Sequence, residues 1–246
     1  AGVKMGELGT TTFRPPYTPL TFGTIVGRNV GEYFDTFRRT PMNDWHIENK
    51  AEFENVGQWK RAWYYPKNNE TMHDAVQRES KAARNSAGIL DASTLGKIDI
   101  QGTDASEFLN RVYTNAWSKL AIGKCRYGLM LNEDGMVYDD GVTTRLDENH
   151  YIMTTTTGGA ANVLGKLEDY LQTEWPELDV YLSSVTDHYA TASICGPNSK
   201  KILNKLIPDL DFSDEGFPHM SFKNAKINNI KCRIMRISFT GEHSYE

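Results

Sequence analysis

Two adjacent acids in the segment EDGMVYDDGV (133–142) are the strongest candidates for chemistry in this sequence. Asp139 and Asp140 stand in a β-rich run, and neighbouring residues of a strand point to opposite faces, so one carboxylate is expected to face inward. An inward carboxylate must be paired or hydrogen-bonded, and such a group can polarise or position a basic nitrogen. From the residues alone two roles stay open: a ligand-facing acid, or a turn-forming acid, because both Asp-Gly dipeptides of the segment, at 134 and 140, are turn signals.

A second candidate is the glycine pair Gly158-Gly159, which precedes a run of helical spacing. Exposed backbone N–H groups at the positive end of a helix dipole can bind a carboxylate or a phosphate. A plain strand-to-helix turn explains the same two residues, and it is the simpler reading.

Several familiar chemical motifs are absent from the sequence. It contains no G-x-G-x-x-G, no G-K-[ST] phosphate loop, no H-E-x-x-H and no G-x-S-x-G. The six histidines show no paired ligand spacing, so no metal site is predicted. A flavin or nicotinamide bound by this segment alone would lack its usual fingerprint.

The helices that would position the candidate residues can be read from composition and spacing. Residues 70–87 are charged and Ala-rich and stop at Gly88, which predicts a helix that ends in a glycine cap. Asp104 and Glu107 form a D-x-x-E capping signature ahead of apolar residues at helical spacing. Two more helices are predicted, one after Gly159 and one after Pro197.

The strands alternate with these helices but come in hairpin-linked sets. Three β-rich runs joined by turn signals predict an antiparallel meander, at 126–131, 136–146 and 150–157. Further strands are predicted at 96–102, 179–185, 189–196 and 231–241. We therefore predict an α+β fold with mostly antiparallel sheets and packed helices.

Composition bounds the class of protein. With 246 residues and 39% hydrophobic content, the chain fits a globular protein with a real core. A net charge of −5 argues against a nucleic-acid partner, and no apolar run approaches the ~18 residues that predict a membrane span. Three cysteines without short spacing suggest neither a disulfide framework nor a zinc site, which favours a cytoplasmic location.

The two ends of the chain also shape the expected domain organisation. It opens without Met and closes on SFTGEHSYE, so we expect an excerpt of a longer polypeptide. Residues 1–40 are rich in proline and glycine, which predicts an extended connector from a preceding domain. Residues 41–246 are then expected to form one domain that is incomplete at its C-terminus.

Read together, five segments resemble the aminomethyltransferase family, which includes the glycine cleavage T-protein and the folate domains of sarcosine- and dimethylglycine-oxidising enzymes. They are DASTLGKIDIQGTDASEFLNRVYTN, GKCRYGLMLNEDGMVYDDGVTTRL, TTTTGGAANVLGKLEDYLQTEWPEL, ASICGPNSKKIL and RISFTGEHSYE. Within the family, TTTFRPPYTPLTFG, FRRTPMNDWH and VGQWKRAWYYP resemble the C-terminal part of the α subunits of heterotetrameric sarcosine oxidases, and stand-alone T-proteins lack these three segments.

The resemblance implies roles for individual residues of the folate site. The family's catalytic acid falls on Asp140, and the tyrosine that lines its folate pocket falls on Tyr127. The last Glu of the family's G-E-x-x-Y-E motif, which binds the pterin ring, falls on Glu246, with Tyr245 beside it. Asp139 is counted with the folate-site residues and is expected to face away from the ligand or to brace the turn.

Two departures from the family pattern change the expected pocket. Thr157, Gly158 and Gly159 fall where the family has pocket backbone after an Asn-containing strand end, so they are expected to contribute backbone contacts. Thr144 replaces a family tyrosine, which removes one aromatic contact.

The resemblance also implies a reaction. The folate domain would transfer the methylene group of the imine produced by sarcosine oxidation to tetrahydrofolate, giving 5,10-methylenetetrahydrofolate and glycine. FAD, FMN and NAD would be bound elsewhere in the parent complex, whose other subunits would be a flavin-bearing β subunit and the γ and δ subunits. The alternatives are a stand-alone aminomethyltransferase or demethylase, and a non-catalytic folate-binding module.

Overall fold

The computed structural model describes Gly2, Lys4 and residues 36–246. The chain divides into two compact units, Ala1–Thr36 and Phe37–Glu246, and the second is described below. The predicted connector over residues 1–40 lies almost entirely outside the described residues and stays a prediction.

A three-stranded sheet and one short helix open the second unit. The sheet has the order β1-β3-β2, in which β2 and β3 form an antiparallel hairpin and β1 runs parallel to β3. Its elements are β1 (Arg38–Arg39), α1 (Asn43–Glu48), β2 (Glu52–Val56) and β3 (Trp59–Tyr64). The guanidinium of Arg38 lies 4.0 Å over the ring of Trp59, and that ring is buried.

A long helix follows this sheet in the chain. Helix α2 (Met72–Asn85) begins at Thr71, whose side chain and that of Asp74 form a reciprocal capping box. The predicted helix is confirmed, but the predicted glycine cap is wrong. The helix ends at Ser86, whose N–H donates to the carbonyl of Ala82, and Gly88 already belongs to the next strand.

The largest sheet has five strands in the order β6-β7-β8-β5-β9, and every pairing in it is antiparallel. Its strands are β5 (Gly96–Gln101), β6 (Cys125–Leu131), β7 (Val137–Asp147), β8 (His150–Thr155) and β9 (Tyr181–Ser184). Helices α3 (Ala105–Val112) and α4 (Ala160–Asp169) lie between these strands in the chain. Strand β4 (Gly88–Asp91) precedes them and belongs to another sheet. The predicted meander is therefore confirmed.

One face of this sheet carries the main core. Ile98, Ile100, Met130, Tyr151 and Met153 are nearly inaccessible to solvent and pack together in one cluster. Residues from the two helices complete the cluster: Ala105, Phe108 and Leu109 from α3, and Val163 and Leu167 from α4. Successive residues of a strand point to opposite sides of the sheet. We call the side that carries this cluster the core face and the opposite side the polar face.

The remainder of the chain forms two smaller sheets around a second core. Its strands are β10 (Ala192–Cys195), β11 (Ser221–Ile227), β12 (Ile230–Arg236) and β13 (Ser244–Tyr245), and its helix is α5 (Ser199–Leu206). Strand β10 lies between β13 and β4, and β11 pairs with β12. Phe212, Phe217 and Tyr245 pack as a cluster of rings at the centre of this region.

Two local predictions from the sequence are corrected. Asp104 accepts the N–H of Asp179 instead of capping its own helix, and Glu107 pairs with Arg111, so the predicted capping box is absent from this part of the described chain. Asp140-Gly141 is not a turn, because Gly141 lies within β7 opposite Gly128. The Asp134 turn is confirmed: Asp134 accepts the N–H of Met136.

Candidate functional site

Asp140 and Tyr127 form a hydrogen-bonded pair on the polar face of the large sheet. Asp140 lies opposite Leu129 in the register of β6 and β7, so Tyr127 is on the same face. The Tyr127 hydroxyl donates to Asp140 Oδ2 at 2.9 Å. This hydrogen bond, with some burial, raises the pKa of Tyr127. Tyr127 is therefore a protonated donor at neutral pH, and Asp140 keeps acceptor positions open toward solvent.

Asp139 points the opposite way and is 4% exposed. It accepts hydrogen bonds from the hydroxyl of Thr156 at 2.6 Å and from its N–H at 3.2 Å. Burial raises the pKa of Asp139, although the Thr156 bonds act in the other direction. The inward acid expected from the sequence is thus Asp139, and its partners belong to the turn between β8 and α4. Its predicted folate contact stays a prediction, one that this orientation does not favour.

The glycine pair is part of the same turn. Gly159 donates its N–H to Thr156 Oγ1 at 3.1 Å, so this donor is already engaged. A Cβ on Gly159 would lie 2.7 Å from Asp139 Oδ1, which explains the glycine. Gly158 is exposed, and the Thr157 hydroxyl lies 3.0 Å from the Thr94 hydroxyl. A structural turn accounts for most of these contacts, and the predicted folate contacts of Thr157, Gly158 and Gly159 remain untested.

Glu246 directly follows β13, in the part of the unit that surrounds the second core. Its backbone exchanges two hydrogen bonds with Met235, at 2.7 and 2.9 Å. The sulfur of Met235 lies 3.5 Å from the hydroxyl of Thr144, which is a fully buried residue of β7. Burial raises the pKa of Glu246, and the positive charge of Lys97 opposes this rise. Met235, the backbone partner of Glu246, therefore contacts the polar face of the sheet, on which Asp140 also lies.

Tyr245 is separated from this arrangement. It is 2% exposed, its ring packs against Phe212 and Phe217, and its hydroxyl has no hydrogen-bond partner among the described residues. The alternation of β13 sends Tyr245 into the second core while Glu246 leaves it. Its predicted folate contact stays a prediction that this packing does not favour.

Lys97 is the residue of this site that sequence reasoning missed. It lies in β5 opposite Thr154 of β8, and two strand spacings, roughly 10 Å, separate its strand from that of Asp140. The alternating pattern of GKIDIQG predicts that Lys97 lies on the face away from the core, where a lysine is normally solvated. No local signal in the sequence shows that other residues of the chain also shield this face of the sheet from solvent.

A cavity of about 510 Å³ lies elsewhere in the unit, and neither Asp140 nor Glu246 lines it. It is bordered by Arg236, His219, His243 and the loop before β13. Arg236 is already engaged by the carbonyl of Phe217 and the carboxylate of Asp214. Because its buried cation is neutralised, we do not place the site there.

Within residues 36–246, no helix is long and apolar enough to cross a membrane. In the same part of the chain, no group of three or more His, Cys, Asp or Glu side chains is arranged to hold a metal ion.

Comparison with known proteins adds a family and relatives to this geometry. The family described as the GCVT N-terminal domain matches residues 42–246. The chain is 56% identical over 241 residues to sarcosine oxidase subunit alpha of Corynebacterium sp. (strain P-1), covering 98% of this chain and 25% of that protein. It is 28% identical over 209 residues to an aminomethyltransferase of Thermotoga neapolitana, covering 85% of this chain and 53% of the relative.

A solved structure shares the fold. The glycine cleavage system aminomethyltransferase T from Bartonella henselae has a TM-score of 0.71 and 24% identity, over 85% of this chain and 52% of that one. The chain therefore spans about a quarter of the length of its sarcosine oxidase relative and about half that of the aminomethyltransferases. The predicted α+β fold of the aminomethyltransferase type is confirmed.

Proposed function

Because the chain belongs to the GCVT N-terminal domain family, we propose that it is the folate-binding part of a sarcosine oxidase α subunit. In this proposal it transfers the methylene group of the imine formed from sarcosine to tetrahydrofolate, and the products are 5,10-methylenetetrahydrofolate and glycine. The 56% identity to a sarcosine oxidase α subunit supports this choice within the family.

The hydrogen-bonded pair of Asp140 and Tyr127 is the observation that carries the proposal. The carboxylate faces away from the main core, on a surface where a ligand can approach it, and the Tyr127 hydroxyl fixes its orientation. A carboxylate so placed stabilises positive charge that develops on a folate nitrogen during attack on the imine. Tyr127 is 49% exposed and offers a ring face for packing against the ligand.

Glu246 fits the other end of the ligand. A carboxylate accepts two parallel hydrogen bonds from the ring N–H and the amino group of a pterin. Tetrahydrofolate would supply the two nitrogens, N5 and N10, that take up the methylene carbon as its bond to the glycine nitrogen breaks. The domain's own residues bind and orient this acceptor, and proximity limits the loss of the imine to water.

The oxidation of sarcosine is assigned to a flavin bound outside this segment. The sequence lacks the dinucleotide fingerprint, which agrees with FAD, FMN and NAD being held elsewhere in the parent complex. We propose that the complex also contains β, γ and δ subunits and works in the cytoplasm.

Replacing Asp140 in the complete enzyme tests the proposal. For Asp140→Asn we expect sarcosine oxidation to continue while formation of 5,10-methylenetetrahydrofolate falls by at least about tenfold, because the variant lacks the carboxylate charge. The two rates are measured separately, as sarcosine consumption and as folate product. Asp134→Asn is the matched control, since Asp134 serves the hairpin turn six residues away.

If Asp140→Asn forms the folate product at the normal rate, the catalytic assignment is wrong and a non-catalytic folate-binding module becomes the better description.

A second candidate is a stand-alone aminomethyltransferase, which the 28% identity to the Thermotoga protein favours. Isolation of the natural protein with flavin-bearing subunits excludes that candidate, and binding to a lipoyl carrier protein supports it.

A further inference from the structure

Residues 113–117, with the sequence YTNAW, follow α3 and are anchored in the main core at both ends. Tyr113 and Trp117 are buried, and their rings meet edge to face with centroids 5.9 Å apart. Both rings lie against Gly128 of β6, where a Cβ would come within 2.6 Å of the ring of Trp117 and 3.2 Å of that of Tyr113. We call the three residues between these anchors, 114–116, the edge segment. The anchors hold this segment beside the part of β6 that carries Tyr127.

The edge segment lies along the outer edge of the large sheet. Strand β6 is the first strand of the order β6-β7-β8-β5-β9, so within residues 36–246 the outer side of β6 has no neighbouring strand in that sheet. The N–H of Thr114 donates to the carbonyl of Leu129 at 3.1 Å. Two residues earlier in β6, the carbonyl of Tyr127 accepts a hydrogen bond from the side-chain amide of Asn115 at 2.5 Å. The edge segment therefore takes the place of a neighbouring strand, and at Tyr127 it does so with a side chain.

A second hydrogen bond ties the edge segment to the residue before Tyr127. The guanidinium of Arg126 donates to the carbonyl of Ala116, which is the residue after Asn115. Asn115 and Arg126 thus make reciprocal bonds, in which each side chain reaches a backbone carbonyl on the other side. Because the bond of Asn115 comes from a side chain, one substitution removes it while the backbone bond of Thr114 remains.

The position of β6 decides whether Tyr127 reaches Asp140. Tyr127 lies opposite Val142 and Asp140 lies opposite Leu129, so the two site residues form a diagonal pair across the strands. Diagonal neighbours are roughly 7–8 Å apart at their Cα atoms, a span that an aromatic side chain can bridge. The Tyr127 hydroxyl lies 2.9 Å from Asp140 Oδ2, although about half of Tyr127 is exposed to solvent. A small movement of the strand edge at Tyr127 would therefore lengthen this hydrogen bond.

We propose that Asn115 is a positioning residue of the folate site, which fixes the carbonyl of Tyr127 at the edge of β6 and so keeps the Tyr127 hydroxyl on the carboxylate of Asp140. This inference rests on the proposed folate function. Asn115 acts through Tyr127 and is assigned no contact with the ligand. Without its amide, water replaces the donor at the Tyr127 carbonyl, and the carboxylate of Asp140 loses the partner that orients it toward the reacting folate nitrogen.

The test measures sarcosine consumption and formation of 5,10-methylenetetrahydrofolate separately in the complete enzyme. Asn115→Leu keeps a side chain of similar size but removes the amide N–H. We expect formation of the folate product to fall about three- to tenfold, the size of effect expected for one hydrogen bond, while sarcosine consumption is unchanged. Ser118→Ala is the matched control, because Ser118 follows the same segment and contacts Asn110 through the N–H that alanine keeps. It is expected to leave both rates unchanged.

A second background separates positioning from general damage. In Tyr127→Phe, which lacks the hydroxyl, Asn115→Leu is expected to cause no further fall in the folate product, because the group it acts through is gone. An equal fall in both backgrounds overturns the inference. So does an equal loss of sarcosine consumption, or a folate-product rate in Asn115→Leu that matches the unaltered enzyme.

Fluorine NMR of 3-fluorotyrosine placed at position 127 gives a readout that a purely structural role would not change. The hydrogen bond to Asp140 raises the pKa of the Tyr127 phenol. If Asn115 maintains that bond, Asn115→Leu lowers the pH at which the phenol ionises, and Ser118→Ala does not. A titration of the phenol that is the same in Asn115→Leu and in the unaltered enzyme overturns the inference.

Failure of the wider proposal looks different. If the unaltered enzyme forms no 5,10-methylenetetrahydrofolate from sarcosine and tetrahydrofolate, the folate function and the role of Asn115 fall together. If it forms this product and Asp140→Asn blocks the transfer while Asn115→Leu changes nothing, only the role of Asn115 falls. Should Asn115→Leu not fold, Asn115→Asp, which has the same shape without the amide N–H, is measured in its place against the same expectations.

Discussion

At the scale of residues, two adjacent aspartates of β7 have opposite surroundings. Asp139 is buried and accepts two hydrogen bonds from Thr156, whereas Asp140 is half-buried and bonds to the exposed Tyr127. We expect Asp139→Ala to lower the free energy of unfolding by about 1–3 kcal/mol, because the hydroxyl and N–H of Thr156 lose the acceptor that holds the turn before α4. Urea-induced unfolding of the complete enzyme domain, followed by circular dichroism, measures this change.

Asp140→Ala is the matched comparison at the neighbouring position. Its carboxylate supports no buried donor, so we expect a change within about 0.5 kcal/mol. A larger loss of stability for Asp140→Ala than for Asp139→Ala would contradict the face assignment, because a shift of one residue in the strand register exchanges the two sides.

At the scale of elements, the glycines paired between β6 and β7 let the sheet pack closely. A Cβ on Gly128 would lie 2.6 Å from the ring of Trp117, and one on Gly141 would collide with the carbonyl of Thr154. We expect Gly141→Ala to destabilise the fold by about 1–3 kcal/mol or more, since backbone atoms of β8 must move to relieve the overlap. The measurement is the midpoint of denaturant unfolding.

Gly165→Ala provides a control of opposite sign. Gly165 lies inside helix α4, and a Cβ there meets nothing within 4 Å. Because alanine favours the helix, we expect a gain of up to about 1 kcal/mol. Equal destabilisation by both substitutions would show that the close approach at Gly141 is not the cause.

At the scale of the whole unit, a buried His46–Asp91 pair ties the first small sheet region to strand β4. His46 Nε2 lies 2.9 Å from Asp91 Oδ2, both side chains are 3% exposed, and His46 Nδ1 lies 2.6 Å from the Tyr65 hydroxyl. Burial alone would raise the pKa of Asp91, but hydrogen bonds from partners including Ser93 and His46 outweigh it, so the pKa is lowered.

The lowered pKa fixes the direction of the pH dependence. A depressed carboxyl pKa contributes stability that is present above the unfolded value and is lost as pH falls through the folded value. We therefore expect Asp91→Asn to cost about 3 kcal/mol at neutral pH, and the difference from the unaltered protein to shrink below about pH 4. Thermal and urea unfolding at a series of pH values measure both effects.

Asp187→Asn is the exposed counterpart, because Asp187 is 71% exposed in its ion pair with Arg38. Its loss is expected to change stability by less than about 1 kcal/mol. A cost for Asp91→Asn that stays constant into acid would contradict the linkage argument, since it would mean that ionisation of Asp91 contributes nothing.

The sequence was most informative where one local pattern decides the outcome. The period-two runs of the meander and the charged, Ala-rich composition of residues 70–87 predicted those elements, and the motif order predicted the family that the comparisons confirm. Local patterns failed at Asp104-x-x-Glu107 and at Asp140-Gly141. In both places a tertiary partner, Asp179 in one case and the paired strand β6 in the other, takes the group that a local motif would use.

By itself the sequence determined the α+β class and the family, since spacing and residue type are enough for these, and the family resemblance then indicated Asp140 as the acid to test. Only the tertiary structure decided which of two adjacent acids faces the main core. It also showed that Tyr245 is packed in a second core, and that Lys97 is buried. The burial of a side chain and the charges near it depend on which distant elements pack against its strand face. The hydrophobic period of the strand does not show which elements these are.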